Sequence, residues 1–285
     1  MALNTRDFEY IRDLVRVRSA IVLDNDKDYL VELRLSSIVQ QEGFASLQDF
    51  ITHLRAQPVE LMLQRVVDVM TTNETYFFRD VFPFEALKND LIPELLKQNA
   101  SSRRLRIWCG AASSGQEPFS LAMLLRENFP QLATWNTEMV ATDISHEMIA
   151  RCKEGRFSQL EVNRGLPAML LVKYFRKDGD QWILKDDIRQ MVQFRLMNLI
   201  QPWSLQGPMD LIMIRNVLIY FDLETKRAIL AKVKKLMGPH SVLILGSSES
   251  VLSIDRDFEQ INMGRFLCYR LKQELAQPVA VAARI

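Results

Sequence analysis

The chain reads as an α/β protein, a parallel sheet with helices on its faces, interrupted by a small β-containing insertion and preceded by a small all-helical domain. Three observations predict this. From Leu105 onward, short apolar runs of strand length alternate with amphipathic helical stretches, the pattern of a parallel sheet. Residues 1–70 instead carry apolar side chains at helical spacing throughout. Residues 105–125 read as a buried strand, a loop of small residues and a helix, the unit that cradles ligands in such sheets.

That unit is the candidate cofactor cradle. Gly110 and Gly115 permit a sharp turn and close backbone approach, and Pro118 suits a first helical turn whose free N–H groups face the loop. The spacing selects the ligand. A phosphate-binding loop needs Lys after the second glycine, where this chain has Gln116 and Glu117, and an anion there repels phosphates. The dinucleotide pattern fails because Ala112 stands where its second glycine belongs. A nucleoside-like ligand without phosphate remains, and S-adenosylmethionine fits that description; an ordinary strand-to-helix turn is the alternative.

Composition sets outer limits. With 285 residues, 48% hydrophobic and 25% charged, the chain suits one large or two modest globular domains. A formal net charge of +1 provides no field for nucleic acid or an anionic membrane. Cys109, Cys152 and Cys268 are scattered, which argues against a disulfide framework or zinc cluster and for a reducing compartment. The N-terminus lacks an apolar signal core and no run reaches membrane-spanning length, so a cytoplasmic protein without membrane insertion is expected.

In chain order, Phe8, Ile11, Leu14 and Val15, then Leu30, Leu33 and Leu35 through Ile38, then Phe50, Ile51 and Leu54 predict helices. Pro58 is expected to open another, carrying Leu61, Val66 and Val69. The following segment, 71–98, begins with Asn73, Thr75 and Arg79 set among Tyr76, Phe77 and Phe78. It is either a capped helix with core aromatics or a linker that closes over a ligand.

Residues 99–285 form the expected cofactor-binding domain. Strand Glu138–Asp143 ends in an acid placed to accept from both ribose hydroxyls, with helix capping by Asp143 as the alternative. Residues 155–190 break the alternation, with a turn at Asp178-Gly179 that predicts a hairpin. The sheet resumes with Val192–Asn198 and with Asp210–Asn216, a run buried on both faces. A helix over Leu223–Met237, ended by Gly238, leads to strand Ser241–Gly246, and Phe266–Leu271 is expected to close the sheet. Gly110, Asp143, Asn198, Arg215 and Asn216 thus gather at strand ends, where open α/β sheets bind ligands.

These residues also carry a family likeness. Thr71–Arg79, Ala111–Ser120, Ala141–Ile144, Asn198-Leu199 and Ile214–Asp222 resemble the CheR family of chemotaxis receptor methyltransferases over almost the whole chain. The resemblance implies a Rossmann-like S-adenosylmethionine-dependent methyltransferase domain with a small inserted β-subdomain behind a helical N-terminal domain. It implies cofactor contacts from Asn73, Thr75, Arg79, Glu117, Asp143, Asn198, Leu199, Arg215 and Asn216. Arg79 and Tyr220 fall where the family's proposed catalytic groups sit. The implied reaction is methyl transfer to glutamate carboxylates in the cytoplasmic helical domain of a methyl-accepting chemoreceptor, by a monomer. A glutamate carboxylate, with an ordinary pKa of about 4.3, is already a nucleophile, so no base is required.

Two departures bear on the partner. Familiar members have a strongly basic second helix, whereas residues 24–42 carry Lys27 and Arg34 against Asp24, Asp26, Asp28, Glu32 and Glu42. Either the receptor differs or docking uses Arg12, Arg16 and Arg18. The turn between Phe175 and Trp182 is also shorter than in members that capture a receptor pentapeptide, so no such tether is expected. Competing readings are a non-catalytic module that senses S-adenosylmethionine or S-adenosylhomocysteine, and a methyltransferase of another substrate.

Overall fold

The computed structural model describes residues 3–272. Four helices come first: α1 (Thr5–Ser19), α2 (Asp28–Gln41), α3 (Leu47–Ala56) and α4 (Glu60–Met70). Asn4 caps α1 by accepting from Asp7 N–H, and Ser46 caps α3 by accepting from Asp49 N–H. Their stripes, including Ile11, Val15, Leu35, Phe50, Leu54 and Val66, close into one core. Leu33 and Leu61 share the helical spacing but are 69% and 73% exposed, because each short helix offers the core only one stripe. Pro58 does not open α4; Val59 precedes its first residue in extended conformation.

Residues 71–80 contain no helix, so the capped-helix alternative is set aside. The chain leaves α4 as a non-helical strap, and Phe78 and Asp80 take left-handed backbone, φ 49° and 60°. Phe77 alone of the three aromatics is fully buried. Helices α5 (Val81–Ala86) and α6 (Ile92–Gln98), joined by a π-helical stretch, lead into the sheet.

The sheet strands are β1 (Arg104–Gly110), β2 (Asn136–Asp143), β6 (Gln193–Leu196), β7 (Met209–Ile214), β8 (Met237–Leu245), β9 (Phe258–Met263) and β10 (Phe266–Leu271). Their spatial order is β6-β2-β1-β7-β8-β10-β9, with the first five parallel. β10 runs antiparallel to β8 and β9. The expectation that Phe266–Leu271 closes the sheet is therefore corrected. β10 sits inside it and β9, polar along its outer face, forms the edge. Gly238 does not end the preceding helix α12 (Leu223–Leu236): Met237 is already extended, and Gly238 lies within β8, where a Cβ would stand 3.2 Å from Pro208.

Alternate residues of β1 enter two cores. Leu105, Ile107 and Cys109 pack with α7 (Gln116–Asn128), while Trp108 joins the layer containing α12. The insertion follows α8 (His146–Glu154) and holds a three-stranded sheet, β3 (Arg156–Ser158), β5 (Gln181–Leu184) and β4 (Phe175–Asp178), with short helices α9 (Gln159–Asn163), α10 (Ala168–Tyr174) and α11 (Asp186–Arg189). The hairpin is present; β3 is a third strand the sequence did not suggest. Phe77 of the strap meets Phe157 and Phe175 at 5.0 and 5.7 Å between ring centroids, so the insertion buttresses the strap.

Candidate active site

The strand order reverses beside β1, with β2 on one side and β7 on the other, and ligands bind outside the carboxyl ends at such a point. A cleft opens there. The nine residues expected to contact the cofactor, Tyr220 in addition, all line it, brought from five separate segments of the chain.

Gly110 is not among the lining residues. A Cβ on it would press on Trp108 and Ile214, at 3.1 and 3.3 Å, and one on Gly115 (φ +94°) would meet Phe119 and Cys152. The expected close approach of these glycines to a ligand is corrected: they serve turn and packing. Ala111, Ala112 and Ser113 form the wall, with Ala111 and Ser113 in left-handed backbone. The strap lies across this loop. Ser113 Oγ donates to Asn73 O at 2.8 Å, and Phe78 N–H donates to Ser120 Oγ at 2.9 Å. Arg79 donates to Glu74 O at 2.9 Å, which curls the strap beside Thr75.

At the end of β2, Asp143 accepts from Ser113 N–H at 2.8 Å and Ser145 N–H at 2.9 Å. Ser145 is the residue that caps α8, so Asp143 is not the cap. Burial raises the Asp143 pKa above the ordinary carboxylate value, against the pull of those two N–H groups; the Asp68 charge adds to the rise. Beyond β6, Asn198 donates to Arg18 O at 2.7 Å and accepts from Ile200 N–H at 3.1 Å. Its neighbour Leu199 turns its carbonyl to Lys232 and to Trp203 Nε1.

After β7, the buried Arg215 guanidinium pairs with Glu117 at 2.6 Å and Asp80 at 2.7 Å, and donates to Arg79 O at 3.0 Å. One cation thus ties loop, strap and strand end together. Asn216 has φ 57°, a conformation Asn tolerates. Tyr220 ends a short 3-10 turn, Leu218–Tyr220, and its carbonyl accepts from Val22 N–H at 3.0 Å.

Four contributors lay outside the sequence reading. Ser19 and Ile21, between α1 and α2, form a wall of the cleft, and Ile21 packs against both the helical core and the sheet core. Arg34 of α2 donates to Met70 O, Thr71 O and Thr72 Oγ1, pinning the strap where it starts. Glu249 gathers the backbone of the Asn216 loop. No spacing within one segment marks these roles. Arg12 lies against Asp13 and Asn25, Arg16 against Asp222, and Arg18 meets Glu60 bidentately, all at the surface.

The donor set suits a nucleoside bearing a cation. Asp143 has lone pairs left for ribose hydroxyls, Ile144, Met197 and Leu199 give an apolar slot for a base, and buried Asn216 Oδ1 and Arg215 Nε have no hydrogen-bond partner.

The sequence also matches known proteins. Residues 6–71 match the model described as CheR methyltransferase, all-alpha domain, and residues 73–267 match CheR methyltransferase, SAM binding domain. The chain is 38% identical over 277 residues to the chemotaxis protein methyltransferase Cher2 of Pseudomonas putida, covering 95% of this chain and 100% of that protein. It is 39% identical to chemotaxis protein methyltransferase 1 of Pseudomonas aeruginosa over the same shares, and 38% identical to the chemotaxis protein methyltransferase of Vibrio parahaemolyticus, covering 95% and 99%. With its helical domain, its S-adenosylmethionine-binding sheet and this cleft between them, the chain belongs to the CheR methyltransferase family.

Proposed function

We propose that the protein methylates glutamate side chains of a chemoreceptor's cytoplasmic helical domain, forming methyl esters in chemotaxis adaptation. The observation that carries this reading is the convergence of Arg79 and Tyr220, distant in sequence, on the cleft that also holds Asp143. The relatives' names support the chemotaxis setting.

S-adenosylmethionine, when bound, supplies a methyl group already activated on a sulfonium. Asp143 accepts from the ribose hydroxyls, and the slot beside Leu199 takes the base. Asn73, Thr75 and Asn216 complete the polar lining, Asn198 holds the slot through its bond to Arg18 O, and Glu117 acts through Arg215. Arg79 orients a carboxylate, of the cofactor tail or of the acceptor, and Tyr220 helps align the acceptor oxygen with the methyl group. Carboxylate and sulfonium become neutral ester and thioether, so Ile21, Val217 and Phe221 favour the transfer by excluding water that would solvate the charges. Alignment alone is worth roughly 7 to 11 kcal/mol in favourable cases.

A two-residue turn, Gly179-Asp180, joins β4 to β5, and this compact hairpin supports docking without a pentapeptide tether. The test is transfer of labelled methyl to receptor-containing membranes, read as base-labile methanol. Ester formation is expected, with Tyr220→Phe about tenfold or more slower. Binding of S-adenosylhomocysteine without any transfer would favour a sensor module instead.

A further inference from the structure

We propose that Glu249 is the positioning residue of the catalytic loop, holding Asn216 and Tyr220 in place from outside the cleft. Its two carboxylate oxygens receive four backbone N–H groups. Oε2 accepts from Asn216 at 2.7 Å and Gly246 at 2.8 Å, and Oε1 accepts from Val217 at 2.9 Å and Ile219 at 3.3 Å. Three of those donors belong to the turn after β7 and the fourth to the end of β8, so one side chain staples two strand ends.

The turn needs such an anchor. Asn216 sits in left-handed backbone, φ 57°, which persists where its surroundings over-determine it. The N–H groups of Asn216, Val217 and Ile219 converge on a point that a neutral acceptor with one oxygen could not serve. Gly246 makes the approach possible: a Cβ there would lie 2.8 Å from Glu249 Oε2 and 2.9 Å from Asn216 N. Glu249 does not line the cleft, whereas Asn216 and Tyr220 do, so its influence passes through them. Removing two acceptor positions frees the turn to reorient its two functional side chains while Asp143 and Leu199, on the far strands, keep their places.

The inference rests on the methyl-transfer reading, without depending on the acceptor. Its test is Glu249→Gln in the full chain, with hydrogen exchange resolved over residues 216–220 and turnover scored as S-adenosylhomocysteine release in the presence of receptor membranes. Exchange at Asn216, Val217 and Ile219 should quicken and kcat fall by about tenfold or more through Tyr220, while KM for S-adenosylmethionine, which Asn216 also bears on, rises by less than kcat falls. Glu249→Asp, which keeps the charge but shortens the reach by one methylene, should fall between wild type and Gln in both readouts, and it carries the test if the Gln variant does not fold. Unchanged kcat despite faster exchange overturns the proposal, as does a rise in KM that accounts for the whole loss. Release of S-adenosylhomocysteine without methyl ester would count against the carboxylate acceptor alone, and the comparison of variants would stand.

Discussion

Asp143 illustrates how one residue's surroundings set its chemistry. Burial raises its pKa, and in the ribose-binding role proposed for it the ionised carboxylate is the form that accepts from both hydroxyls. The sign follows directly. A carboxylate with a folded pKa above its unfolded value binds protons more tightly when folded, so protein stability falls as pH rises from the unfolded value to the folded one. Cofactor binding runs the other way and weakens as pH drops through the raised Asp143 pKa. Affinity for S-adenosylhomocysteine, followed by calorimetry, should therefore decline at a higher pH than an ordinary carboxylate dictates. Asp143→Asn should lower affinity and flatten that decline; a variant with the wild-type pH profile would place the titration elsewhere. Arg215 poses a related problem, since its loss strands Glu117 and Asp80. Arg215→Met should destabilise the fold by about 3 to 5 kcal/mol, measured by denaturant unfolding.

At the scale of elements, the strap over 71–80 depends on three supports: Arg34 at its start, the insertion's Phe157 and Phe175 against Phe77, and Arg215 at its end. Gly165 of the insertion lies against it so closely that a Cβ would stand 2.0 Å from Phe77 O, at φ +83°. Gly165→Ala should push the strap off the Ala111–Ser113 loop. The left-handed backbone alone costs of order 1 to 3 kcal/mol, and the clash adds to it. The expected result is a lower unfolding temperature together with weaker S-adenosylhomocysteine binding. Unaltered binding would mean that the insertion does not steady the strap. The helical periodicities of α1 to α4 and the apolar runs of β1, β2 and β7 were legible from local pattern, whereas β3 and β9 were not. β3 draws its pairing from β5, more than a helix pair away in the chain, and β9 from β10 across a turn, and the alternation of each is weak.

Across the whole molecule, the helical domain and the sheet share the cleft. Ser19 and Ile21 wall it, Arg18 O holds Asn198, and Val22 N–H holds the Tyr220 carbonyl. Binding at a wall common to two domains stabilises both. Calorimetry should show S-adenosylhomocysteine raising one joint unfolding transition; two transitions, of which only one moves, would contradict that coupling. Among the described residues no helix is long and apolar enough to cross a membrane. Within residues 24–42, Glu42 pairs with Arg65 of α4 and Asp26 with Lys27.

The sequence by itself determined the fold class, the order of domains and the polar residues at strand ends, because hydrophobic period and strand-end chemistry are local properties. The motifs 71–79, 111–120 and 214–222 were also sufficient to indicate the family. Tertiary structure decided which groups face the cleft and which support it. Gly110 proved to be a packing glycine because Trp108 and Ile214 crowd it, and Glu249 became an anchor because β7 and β8 end side by side. Such roles arise from contacts between segments far apart in the chain, and no spacing within one segment encodes them.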